Sequence, residues 1–100
     1  MNPLQRTLIE KAGHDNGFEH VLSPVGDEVV LASARHRSQA AVTALDEGFE
    51  VRFQPATPAL LPELLRSFQP WAGAAGVFCV PTLADLAALL RRAASLSQAL

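Results

Sequence analysis

The spacing of hydrophobic residues changes several times along the chain, and each change marks an element. Leu4, Leu8, Ile9 and Ala12 recur three and four positions apart, which predicts a helix from about Pro3 to His14 or Asn16 with one apolar stripe. Asn2 stands where it can cap this helix. Pro3 occupies the first position, where a missing amide has no partner to lose, and Gln5 is placed to reach back as a capping-box residue. Gly13 and Gly17 can both end the helix by adopting a left-handed conformation.

From Phe18 onward the period becomes two. Phe18 to Leu22 reads as a short edge strand, and Ser23 to Asp27 as a turn. The stretch from Asp27 to Gln54 reads as three consecutive antiparallel strands. Treating Asp46-Glu47-Gly48 as a three-residue hairpin loop sets Leu45 opposite Phe49, Thr43 opposite Val51 and Ala41 opposite Phe53. A turn over Ala34 to Ser38 then sets Leu31 against Ala41 and Val29 against Thr43. This register predicts a core face of Val29, Leu31, Ala41, Leu45, Phe49, Val51 and Phe53. It predicts a second face of Val30, Ala32, Ala40, Val42 and Ala44, rimmed by Glu28, Glu50, Arg52 and Gln54.

Beyond the strands, two prolines at 58 and 62 predict a loose turn followed by a helix from Pro62 to Gln69, with Leu60, Leu61, Leu64, Leu65 and Phe68 on its apolar side and Pro70 as its stop. Trp71 to Gly76 is a Gly/Ala connector whose single Trp either pins the loop to the core or offers a stacking platform or partner anchor. Val77 to Val80 fits a short buried strand or a loop packed into the core. Thr82 and Asp85 form a capping-box pattern ahead of a helix from Leu83 to about Gln98. Its stripe is Leu83, Leu86, Leu90, Ala93 and Ala94, widened by Leu89 and Leu96 beyond what a small sheet needs. The fold class is α+β, one domain over residues 1–100. It is an antiparallel four-stranded meander, joined by a fifth strand if 77–80 is one, packed by about three helices.

Composition narrows the functional classes. A hydrophobic fraction of 49% with 18% charged residues requires a packed globule. A net charge of −2 is a poor profile for wrapping nucleic acid, whose affinity depends on many cations displacing counterions. The single Cys79, inside Val77-Phe78-Cys79-Val80, is expected to be buried in a reducing compartment. Neither a secretory signal nor an apolar run long enough to cross a bilayer is present, so a cytoplasmic location is expected.

Few residues suggest chemistry. His14 beside Asp15 could be tuned as a base, but adjacent residues at a helix end point apart and serve the turn. His14, His20 and His36 share no ligand spacing, so no metal and no cofactor is expected. No nucleophile motif or phosphate loop occurs, and no catalytic residue is assigned. Arg35-His36-Arg37, on a turn at one end of the sheet, is the one basic cluster of the sheet region. With Arg52 it is the candidate binding set for phosphate or carboxylate.

Three pieces of the chain carry a likeness. Lys11-Ala12 followed by Asp15-Asn16-Gly17-Phe18-Glu19, the meander with its Ser33-Ala34 step into a polar turn, and Leu89-Leu90-Arg91-Arg92-Ala93-Ala94 with Leu96-Ser97-Gln98-Ala99-Leu100 resemble the N-terminal region of HNH-type restriction endonuclease proteins. In that family an HNH domain follows a segment similar to residues 89–100 of this chain. The metal ligands and catalytic histidine belong to that domain, so no active-site residue is carried over. The resemblance implies an accessory region without nuclease chemistry, concerned with target recognition or regulation, and with DNA or a nuclease as partner. The alternative from the residues alone is a protein-interaction or dimerisation module. Its expected partner surface is Val30, Ala32, Val42, Leu89 and Leu96, with oligomerisation through the broad last helix.

Overall fold

The computed structural model describes residues 2–22, 27–33, 38–55, 60–73 and 76–99. The elements follow in the order α1 (Pro3–Asp15), β1 (His20–Leu22), β2 (Glu28–Ala32), β3 (Ser38–Leu45), β4 (Gly48–Pro55), α2 (Leu60–Ser67), β5 (Val77–Val80) and α3 (Leu83–Ala99), with a 3-10 turn at Gln69–Trp71 between α2 and β5. The five strands form one sheet in the order β1-β2-β3-β4-β5. Every neighbouring pair is antiparallel. Val77 to Val80 is therefore a strand, and the α+β meander is complete with five. No helix among the described residues is long and apolar enough to cross a membrane.

All three helices lie on one side of the sheet, and the core fills the space between the two layers. Ile9 and Phe18 enter from the N-terminal segment, Leu64 from α2, and Leu86, Leu89, Leu90 and Ala93 from α3, all with no exposed surface. The sheet supplies Val29, Leu31, Ala40, Val42, Val51, Phe53, Phe78 and Val80. Phe53 joins the layers: its ring lies 6.3 Å from Phe18 and 5.7 Å, edge to face, from Phe78. Such tilted contacts suit the ring quadrupoles better than a face-to-face sandwich.

The helix ends follow the predicted caps. Asn2 Oδ1 accepts from Gln5 N–H at 2.8 Å, and Asn2 N–H donates to Gln5 Oε1 at 3.1 Å. Asp85 N–H donates to Thr82 Oγ1 at 3.1 Å, which starts α3. Between the two candidate stops of α1 the chain uses Gly17, whose φ of 91° is left-handed and whose α-carbon is set against Ala94 of α3.

The largest correction concerns β3. Leu45 pairs with Gly48, so the hairpin loop is the two residues Asp46 and Glu47 and not three. Ala44 faces Phe49, Val42 faces Val51 and Ala40 faces Phe53. On the other side Leu31 faces Ala40 and Val29 faces Val42. A shift of one residue exchanges the two faces of a strand. Ala40 and Val42 are thus in the core. Ala41, Thr43 and Leu45 turn to the opposite side, and Leu45 is exposed.

Two local contacts fix this register. Ser33 N–H donates to Ser38 O at 2.9 Å and Ser38 N–H to Ser33 Oγ at 3.0 Å, so Ser38 belongs to the strand and not to the turn. Gly48, at φ 116°, is the first residue of β4. A side chain there would run into the backbone of Val80 and Pro81.

Other elements differ by smaller amounts. β1 begins at His20, because Phe18 leaves the sheet to enter the core. The helix expected from Pro62 begins at Leu60. Pro62 is accommodated because it falls in the first turn, where its amide would have no intrahelical acceptor. The stripe of α1 is Ile9, Ala12, Gly13 and Asn16, which are buried, while Leu4 and Leu8 lie on the adjoining line and are exposed. Trp71 stacks on Phe68 at 5.8 Å, a loop-pinning role. The wide apolar surface of α3 is used within the domain, because α3 packs against both α1 and α2 as well as the sheet.

Candidate functional site

The side of the sheet away from the helices has no covering layer among the described residues. Its side chains follow from the register. One row across the strands is Glu28, Thr43, Glu50 and Cys79; the next is Leu22, Val30, Ala41, Arg52 and Val77; the third contains Gln39 and Gln54. The small residues of β3 sit between larger ones on β2 and β4. A depression of about 420 Å³ results, with Val30, Ala41 and Val77 as its apolar lining and Glu28, Gln39, Arg52 and Gln54 as its polar lining.

Arg52 organises the charge of this face. Its Nη2 is in contact with Glu28 Oε1, which reaches across β3, and its Nε lies 3.9 Å from Glu50 Oε1. The side chains of Arg52, Glu28 and Glu50 are 48%, 29% and 36% exposed, so these pairs are solvated and contribute little to stability. They do fix the geometry. Arg52 lies across the small β3 residues, and two carboxylates share one guanidinium.

Cys79 also belongs to this face, although its apolar neighbours predict a core position. In β5 it is Phe78 and Val80 that point inward, so the strand's period of two turns the intervening thiol outward, exposed and in register with Glu50.

The remaining candidates are dispersed. Arg35, His36 and Arg37 lie outside the described residues. Val30 is half-buried on the open face, whereas Ala32, on the same side of β2, is fully buried. Val42 and Leu89 have no exposed surface and belong to the core, Val42 because of the register shift and Leu89 because α3 is flanked by two helices. Leu96 is partly buried against the core. Of the expected partner surface, Val30 on the open face and Leu96 on α3 remain partly exposed. The expected oligomerisation through α3 loses Leu89 as a contact.

His14 Nδ1 lies 3.5 Å from Asp15 Oδ1, with both side chains mostly exposed at the end of α1. No group of three or more His, Cys, Asp or Glu that could hold a metal ion occurs among the described residues. Gln39, Ala41, Thr43, Val77 and Cys79 are the open-face residues that sequence reasoning does not place there. Their signal is present in β4 and β5, where alternation alone sets Cys79 beside Glu50. In β3 it is hidden by the register.

No family model, no curated protein and no solved structure matches this chain.

Proposed function

We propose that the protein is a non-catalytic binding module that works through the face of its sheet that no described helix covers, and that its partner is a protein. The observation that carries this reading is the depression at Val30, Ala41 and Val77 on a sheet whose opposite face alone is packed by helices. Its lining mixes these apolar residues with a larger polar share from Glu28, Gln39, Arg52 and Gln54, and such a mixture is common in non-obligate protein contacts. The HNH likeness gives the reading a specific form, in which the module associates with a nuclease domain. The DNA branch of that likeness is less well supported by charge, since the one Lys or Arg of the open face among the described residues, Arg52, already has two carboxylates beside it.

The test is affinity capture from extract of the source cells, using the parent chain, an Ala41→Arg variant and a Leu4→Ser/Leu8→Ser variant. Partners retained by the parent and by the α1 variant but lost by Ala41→Arg are expected. Equal capture by all three would sink the assignment of the open face, and salt-sensitive binding of labelled duplex DNA would move the function to nucleic acid.

A further inference from the structure

The open face carries an asymmetry of charge that specifies its partner. Glu28 takes the Nη2 contact of Arg52, whereas Glu50, at 3.9 Å from Nε, is beyond hydrogen-bond range. Asp46 and Glu47, both exposed, occupy the hairpin tip next to Glu50 in the chain, and they carry the same sign. At the other end of the strands the row is His20, Ala32, Gln39 and Gln54, which holds no carboxylate. Laying a neutral surface over this face would desolvate two carboxylates, Glu28 and Glu50, that share the single guanidinium of Arg52, leaving one negative charge uncompensated, which is unfavourable. A cation brought by the partner removes that penalty and is drawn in by the acidic hairpin end.

The second element is shape. The depression lies on the Gln39–Gln54 side of the Arg52–Glu28 bridge, and Glu50 lies on the opposite side. Two residues along a strand span about 7 Å, close to the separation of residues i and i+4 on a helix. From this we propose that the open face docks a basic amphipathic helix of a partner protein, with an apolar side chain in the depression and a lysine or arginine one turn away over Glu50. The inference rests on the reading of the open face as the working surface, and adds the chemistry of what covers it.

A fluorescently labelled synthetic helix with leucine along one face and lysine on its flanks, and a counterpart with glutamate flanks, test this by anisotropy. The lysine peptide is expected to bind at least about tenfold more tightly, a difference of about 1.4 kcal/mol. Glu50→Gln should remove most of that preference. Ala41→Trp, which fills the depression, and Val30→Lys, a second variant on the same face, should each weaken binding at least about tenfold. Leu4→Ser/Leu8→Ser, on the helical side, should bind as the parent does, and circular dichroism reports whether each variant is folded. Equal affinity for the two peptides, with Ala41→Trp and Val30→Lys still disruptive, overturns the charge inference and leaves the open face standing. If folded Ala41→Trp and Val30→Lys bind like the parent, the open-face reading falls as well. Absence of binding by either peptide, or tighter binding of a DNA duplex than of the lysine peptide, also overturns the proposal.

Discussion

Arg91 Nε donates a 2.9 Å hydrogen bond to Asn16 Oδ1, joining the middle of α3 to the end of α1 across 75 residues of sequence. Asn16 is buried, and its Nδ2 donates at 2.7 Å to Ala12 O, one of the carbonyls that the helix end leaves unpaired. One amide thus closes α1 and fastens it to α3. Arg91 is a tether between α3 and α1.

Replacing Asn16 by Ala removes both bonds and leaves Ala12 O with one partner fewer. The expected loss is about 2 kcal/mol, seen as a fall in Tm of roughly 8 °C or more. Arg91→Ala should lose about 1 kcal/mol, since it removes one part-buried hydrogen bond from a side chain that is itself exposed and leaves Asn16 Oδ1 without that donor. In the double variant the two losses should fall short of additive by about 1 kcal/mol; strict additivity would show that the tether carries no coupling energy.

Gly48 combines a left-handed φ with contact between its α-carbon and the end of β5. Gly48→Ala therefore meets backbone strain and overlap with the Val80 and Pro81 backbone together. A loss of about 2–4 kcal/mol is expected from urea unfolding. A variant as stable as the parent would mean that the β4–β5 junction opens at no cost.

Sequence alone is a sound guide wherever a short local pattern decides the structure. Asn2 with Gln5, and Thr82 with Asp85, are capping signals complete within four residues, and both act as such. It misleads where distant contacts decide. Asp46-Glu47-Gly48 looks like a loop because its Gly suits a left-handed turn. Gly48 is instead needed by β5, some thirty positions later, and this moves it into the strand. Leu4 and Leu8 are as apolar as Ile9, and only the placement of α3 and β2 decides which line of α1 is buried. The open face is legible in β4, where Glu50, Arg52 and Gln54 alternate with buried Val51 and Phe53. It is not legible in β3, whose alternation of small apolar residues fits either register.

The register of β3 is tested by two adjacent alanines. Ala40 is fully buried against the core, while Ala41 lines the open face. Ala40→Lys should unfold the domain or destabilise it by more than about 4 kcal/mol, because a buried ammonium has no partner there. Ala41→Lys should stay within about 1 kcal/mol of the parent in urea unfolding. A three-residue loop at Asp46 to Gly48 would give the reverse order of sensitivity, so the comparison separates the two pairings without further structural data.

Cys79 supplies the last prediction, and it follows from the phase of β5 alone. With Phe78 and Val80 in the core, the thiol between them has to face outward, and it is exposed. A water-soluble disulfide reagent should therefore modify the one cysteine stoichiometrically in the native protein, at a rate proportional to reagent concentration. A core thiol would react only as fast as the domain opens, with a rate that stops rising as reagent is added, and native-state lifetimes of small domains extend to hours or days. Because Cys79 is in register with Glu50, a negatively charged reagent should react more slowly than a neutral one, and Glu50→Gln should narrow that gap. A plateau in the rate would place Cys79 inside the core and displace β5 by one residue relative to β4.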